Sequence, residues 1–186
     1  MKKTVLISLL CMISLFSWSF TGGVKKDRYR KNTFFVEILG NSLPYALCYE
    51  RIWSHGGMVN IGTAIGGGHI PLNKYPMTDI VGEINCFFGE SKHKFELSLG
   101  FNYFDLQVFP DDGDKSWYAA INSAFRFAYR FQKRGGGFFF RGSLVALQNI
   151  LLLSDKLEET ILANALVKTA PEATWALPGI SLGYTF

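Results

Sequence analysis

The chain has 186 residues, of which 48% are apolar and 16% aromatic, and carries a formal net charge of +4. This length suits one domain and shows no sign of a second. The basic excess sits mostly in Lys2, Lys3, Lys25, Lys26, Arg28, Arg30 and Lys31, which argues against a nucleic-acid surface and for a solvated tail, with attraction to anionic lipid head groups as the alternative.

Lys2 and Lys3 precede an apolar run from Val5 to Phe16, and Ser17-Trp18-Ser19 supplies small residues for cleavage. This is the pattern of a signal peptide over residues 1–19. The run is shorter than the roughly 20 apolar residues that a membrane helix needs. Cys11 does not suit lipid attachment, because it falls too early and follows Leu9-Leu10 where small residues are required. Residues 20–33 then form a basic periplasmic tail. No later apolar run approaches a helical span, so any crossing of a bilayer falls to strands.

From residue 34 onward the hydrophobic pattern alternates in eight segments divided by turn signals, an even number as a small antiparallel barrel requires. The first places Phe34, Val36 and Ile38 outward, with Phe35, Glu37 and Leu39 inward. The second places Tyr45, Leu47, Tyr49 and Trp53 outward against Cys48 and Glu50. In the third, Val59, Ile61, Thr63 and Ile65 oppose Asn60, Gly62, Ala64 and Gly66. The fourth sets Ile80, Ile84 and Phe88 against Val81, Glu83, Asn85 and Phe87. In the fifth, Phe95, Leu97, Leu99, Phe101 and Tyr103 alternate with Glu96, Ser98, Gly100 and Asn102. The sixth sets Ile121, Phe125, Phe127, Tyr129 and Phe131 against Asn122, Ala124, Arg126 and Arg130. The seventh sets Phe138, Phe140 and Leu144 against Arg141 and Ser143. A soluble sandwich also alternates, but in every segment here the bulky face lies opposite the small, polar or charged one, which is the inversion that lipid imposes.

The connections fall into two sets. Residues 54–57, 89–94 and 132–136 read as short periplasmic turns. Asn41 to Pro44, Gly67 to Met77, Leu106 to Ser116 and Ala146 to Leu177 read as extracellular loops, three of them long. Tyr45, Tyr103 and Trp117 would lie near the outer interface and Trp53, Tyr129 and Phe186 near the inner one. In the last loop Ile150, Leu153, Leu157, Ile161 and Ala165 recur at helical spacing behind Asp155 and Glu158, which predicts a short amphipathic helix. The triplet Leu151-Leu152-Leu153 offers the alternative of a longer seventh strand.

The eighth segment, Pro178 to Phe186, carries Ile180, Leu182, Tyr184 and the terminal Phe186 on one face and small residues on the other. It resembles the closing strand of outer-membrane β-barrels. Tyr45-Ala46-Leu47-Cys48-Tyr49-Glu50-Arg51, Phe127 to Gln132 and Gly135 to Arg141 are similar to segments of a porin-like family without an assigned activity, although Cys48 stands where such families often have Asn. Over residues 34–186 the resemblance implies an all-β, up-and-down, eight-stranded transmembrane barrel in the bacterial outer membrane. It further implies that Tyr184 and Phe186 form the signal read by the barrel-assembly machinery, and that outer-membrane lipids surround the wall.

The inward charges are Glu37, Glu50, Glu83 and Glu96 against Arg126, Arg130 and Arg141, all expected in the periplasmic half of their strands. Eight strands enclose only enough room for side chains. Charges at that density must pair, since an unpaired buried charge costs several kcal/mol. An ionic plug in the lower lumen is expected, with a narrow hydrated pore as the alternative. Cys48 inward and Cys86 outward cannot form a disulfide across the wall.

Enzymatic chemistry finds little support. Outer-membrane lipid-A deacylases use a His and a Ser two apart with a carboxylate, which His55, His69 and His93 do not match. His69 is expected in an extracellular loop, where Ser116 or Ser154 are the candidate nucleophiles. Gly66-Gly67-Gly68 lacks the Gly-Lys-Ser/Thr of a phosphate loop and reads as a strand end entering a turn. Asp111-Asp112-Gly113-Asp114 reads as an acidic turn and lacks the ligand order of an EF-hand. The sequence thus points to a non-enzymatic barrel without metal or cofactor, acting as a structural body or through an extracellular ligand at its loops. A small-solute channel and a lipid hydrolase are the alternatives.

Overall fold

The computed structural model describes residues 29–54, 58–109, 116–154 and 174–186. The expected signal peptide and most of the basic tail lie outside these residues, as do His55, the acidic turn at Asp111 to Asp114, and Leu157, Ile161 and Ala165 of the expected helix.

Eight strands follow one another: β1 (Asn32–Leu39), β2 (Tyr45–Ser54), β3 (Val59–Ile70), β4 (Met77–Phe88), β5 (His93–Val108), β6 (Ser116–Gln132), β7 (Gly137–Ser154) and β8 (Thr174–Thr185). Each pairs antiparallel with the next, and β8 returns to β1, with Phe34 opposite Tyr184 and Ile38 opposite Ile180. Closure leaves no row of unpaired N–H and C=O groups at a sheet edge. The result is an up-and-down barrel with short turns at one end, here the base, and four connections at the other, the crown.

The wall is turned inside out relative to a soluble protein. Phe95, Ile65, Leu47, Trp53 and Phe127 on the outer face are all more than half exposed, whereas Arg130, Arg141, Glu50 and Glu96 in the lumen are 0% exposed. Alternation predicts this because successive side chains of a strand point to opposite faces. Cys48 is buried in the lumen and Cys86 lies on the outer face, both as free thiols. Inside, Phe35 and Phe139 meet with ring centroids 5.3 Å apart, and Ala46, Cys48, Ala64 and Val81 complete an apolar cluster.

Strand lengths depart from the pattern-based boundaries. β1 begins at Asn32, two residues before the expected start. At its end Leu39 has φ 59°, and its exposed side chain leaves the inward face that alternation assigns to it. The Leu39 N–H donates to Pro44 O at 2.9 Å, closing the turn at 40–44. Much of the expected second and fourth loops is wall. β3 continues to Ile70 through Gly66-Gly67-Gly68, so the triplet is not a strand end. A side-chain carbon at Gly66 would overlap Cys48 Sγ and the Leu47 carbonyl, which is why the strand is glycine there. β7 runs to Ser154, so Ile150 and Leu153 belong to a strand and not to a helix. A register shift beside Ile121 and Asn122 leaves Ile150 as an extra residue, since Asn122 opposes Asn149 and Ile121 opposes Leu151.

Length is unevenly distributed around the barrel. β1 has 8 residues and β2 has 10, whereas β5, β6 and β7 have 16, 17 and 18. A membrane-crossing strand needs about 9–11. The excess of β5–β7 lies at the crown, which is therefore cut obliquely, low over β1 and β2.

Candidate functional site

Seven charged side chains from six strands meet in the lumen. Glu37 comes from β1, Glu50 from β2, Glu83 from β4, Glu96 from β5, Arg126 and Arg130 from β6, and Arg141 from β7. Glu37 stands five residues up an eight-residue strand, in its upper half, because β1 is so short.

Arg130 forms the lower tier. Its Nη2 and Nη1 donate to the two oxygens of Glu50 at 2.6 and 2.8 Å, and its Nε donates to Glu96 Oε2 at 2.5 Å. The guanidinium lies between two rings, 4.4 Å from the centroid of Phe87 and 5.0 Å from that of Phe139. Arg126 forms the upper tier, donating to Glu37 Oε1 at 2.7 Å and also to Glu83. Arg141 joins the tiers. It reaches Glu37 at 2.5 Å, Glu96 at 2.9 Å and Glu83 at 3.4 Å, over the face of Phe35. Planar guanidinium groups with several donors suit this role better than lysine would.

Neutral groups supply further donors to the carboxylates. Asn41 donates its backbone N–H to Glu37 and its amide to Glu83, Asn85 donates to Glu50 at 2.6 Å, and Ser181 donates to Glu37. Below them Gln132 bridges Thr33 and Thr185 across the β1–β8 seam. Above them Asn122 donates to Asn102, which donates to the Asn41 carbonyl. Ala124, Val145 and Leu147 with Leu177 then form an apolar cluster on the β6–β8 side, and Asp79 of β4 is buried in the upper lumen as well. Burying charges this deeply costs several kcal/mol per ion unless geometry and extra hydrogen bonds compensate. Here each of Glu37, Glu50, Glu83 and Glu96 has at least two such partners.

Sequence reading missed two further buried charges, Asp79 of β4 and Lys94 of β5. Lys94 lies in β5 and not in a turn, is 2% exposed, and points inward on the same parity as Glu96. Its Nζ donates to Tyr29 Oη at 2.6 Å and sits over the rings of Tyr29 and Phe87. Extending the alternation of β5 two residues below Glu96 would have found it. With these two, the described lumen holds five buried carboxylates and four buried cations. Tyr29 itself lies just before β1, and burial pushes its phenol above the ordinary range. Arg30 N donates to Arg134 O and Ile52 N donates to Lys31 O, so residues 29–31 are pinned at the base of the barrel.

The candidate nucleophile and base residues do not assemble. His69 is in β3 and not in a loop, and its Nδ1 meets Thr78 Oγ1 at 2.9 Å on the outer face. Ser116 opens β6 and Ser154 closes β7, with β4 and β5 standing between β3 and them. His93 opens β5, and its Nδ1 meets Tyr129 Oη at 2.5 Å. Among the described residues no group of three His, Cys, Asp or Glu side chains is placed to hold a metal ion.

The barrel has a solved structural counterpart. The N-terminal β-barrel domain of Pseudomonas aeruginosa OprF superposes with a TM-score of 0.53 over 86% of this chain and 98% of that one, at 10% sequence identity. At that identity the likeness concerns the fold. No family model matches the chain and no curated protein sequence matches it.

Proposed function

We propose, from a fold shared with an outer-membrane barrel domain, that this chain is an integral outer-membrane β-barrel whose lumen is closed and whose role is structural or interactive. The bulky outer face supports insertion, since only a lipid environment makes a ring of exposed Phe, Leu, Ile and Trp favourable. The base with its short turns faces the periplasm and the crown faces outward. The described crown loop at 71–76 presents Leu72 and Tyr75, both about half exposed, as contact residues.

The observation that carries the closed lumen is the joining of Arg126, Arg130 and Arg141 to Glu37, Glu50, Glu83 and Glu96 across its width. A solute would have to break several charge-assisted contacts at once. Planar-bilayer recording of the purified protein is the test, with no steady single-channel steps expected. Reproducible conductance would replace this reading with a narrow channel. Gel mobility with and without boiling tests the barrel itself, and a heat-dependent shift in the membrane fraction is expected. Release by osmotic shock without such a shift would overturn membrane insertion.

A further inference from the structure

At the base of the β8–β1–β2 wall lies a cleft of about 260 Å³ lined by Tyr29, Arg30, Lys31, Asn32, Arg51 and Phe186. It has a lipid side and a water side. Phe34 stacks on Phe186 at 5.7 Å and meets Tyr49 at 5.2 Å, forming an outward aromatic band directly above the cleft. Arg51 points outward with its guanidinium 5.1 Å from the Trp53 ring. The phenol of Tyr49 donates to Asn32 Oδ1, which fixes the edge between band and cleft.

Three exposed cations in so small a space repel one another. Among the described residues none of Arg30, Lys31 and Arg51 has a carboxylate partner within ion-pair distance, and Glu37, Glu50, Glu83 and Glu96 are paired with the lumen arginines. The lining carries three basic side chains and no acidic one. The neighbouring turn adds Lys133 and Arg134, whose carbonyl holds Arg30 N, and Glu90 is the acidic side chain of the described base turns.

We infer that this cleft binds the headgroup phosphate of an anionic glycerophospholipid of the periplasmic leaflet, with its acyl chains lying along Phe34, Phe186 and the wall above. The inference rests on the membrane reading given above. Aromatic rings at the level of lipid headgroups with cations just beyond them match the order of groups along a phospholipid, from acyl chain to phosphate. Net charge selects the lipid class. Each basic residue near an anionic lipid surface strengthens attraction about 5-fold. A surplus of three therefore favours an anionic over a zwitterionic headgroup by about 125-fold.

The test is native mass spectrometry of the full chain in detergent, offered phosphatidylglycerol and phosphatidylcholine of identical acyl chains. Preferential retention of one phosphatidylglycerol is expected. Arg51→Gln should weaken that preference about 5-fold, the triple change Arg30→Gln, Lys31→Gln, Arg51→Gln should abolish it, and Lys92→Gln, elsewhere on the base, should leave it intact. Equal retention of the two lipids, or a preference that survives the triple change, would overturn the inference. Binding of soluble glycerol phosphate as tight as that of the lipid would overturn the lipid assignment in favour of a free phosphate site. Heat-dependent gel mobility is read on the same samples. Its loss in the unmodified protein would overturn the barrel reading and this one with it, whereas a retained shift without lipid preference refutes this one alone.

Discussion

Replacing Arg141 with Met tests whether the lumen is closed. Arg141 contacts three carboxylates, Glu37, Glu83 and Glu96, and its side chain is 0% exposed. Methionine fills a similar volume but leaves Glu37, Glu50, Glu83 and Glu96 facing Arg126, Arg130 and Lys94. Removing one partner of a buried ion pair costs about 3–5 kcal/mol because the other charge stays buried without compensation. Here Glu37 and Glu83 keep Arg126 and Glu96 keeps Arg130, so the cost belongs near the lower end, about 3 kcal/mol. Adding Glu96→Gln removes one surplus negative charge, and a favourable coupling of at least about 1 kcal/mol is expected between the two substitutions. Guanidinium titration in lipid vesicles, with the fraction folded read by gel mobility, measures both. A loss below about 1 kcal/mol for Arg141→Met, the range of solvent-exposed pairs, would refute the reasoning, because it would mean that water screens the site and the lumen is open.

Gly183→Val should obstruct closure, since a side-chain carbon at Gly183 runs into the Phe34 carbonyl and Phe35; a loss of about 1–3 kcal/mol and a weaker heat-resistant gel band are expected. Ile84→Arg, on the outer face midway along β4, should cost about 2–4 kcal/mol in lipid vesicles, where a soluble sheet would lose almost nothing. Tyr29→Phe removes the acceptor of Lys94 at the base and should cost about 1–2 kcal/mol by guanidinium titration. Because burial raises the Tyr29 phenol above its ordinary value of 10.0, its contribution is complete below that pH. It is lost as pH rises through the folded value, and alkaline unfolding of the Phe variant should show a correspondingly smaller loss.

The faces of the strands were legible because a period of two, once fixed by a few aromatic residues, assigns every neighbour. The ends were not. Nothing in the alternation of β1 marks Leu39 as the residue whose backbone turns left-handed, so the pattern carries it one position too far. In β7 the extra residue at Ile150 breaks the period, and Ile150 with Leu153 then mimics the spacing of a helix. Polar stretches such as Gly66-Gly67-Gly68-His69 look like loops because they carry no large apolar outward side chain, although β3 continues through them. The charges of the lumen were readable from parity, but their pairing was not: that Arg141 joins two tiers depends on the shear of the barrel, which sets which rung of β7 faces which rung of β1 and β5. Lys94 was hidden by an assumed turn boundary, and the basic cleft by its assembly from two ends of the chain and an intervening strand.

The shortness of β1 bears on how the cylinder stays shut. With eight residues it has the least ladder with which to hold its two neighbours, β2 and β8. Strand separation should therefore start there, as local opening follows the elements with fewest cooperative bonds. Yet Glu37 on this strand is gripped from across the lumen by Arg126 on β6 and Arg141 on β7. Seen in this way the interior charges form a clasp, tying the weakest stave of the barrel to its two longest, and the seam can part only after they let go.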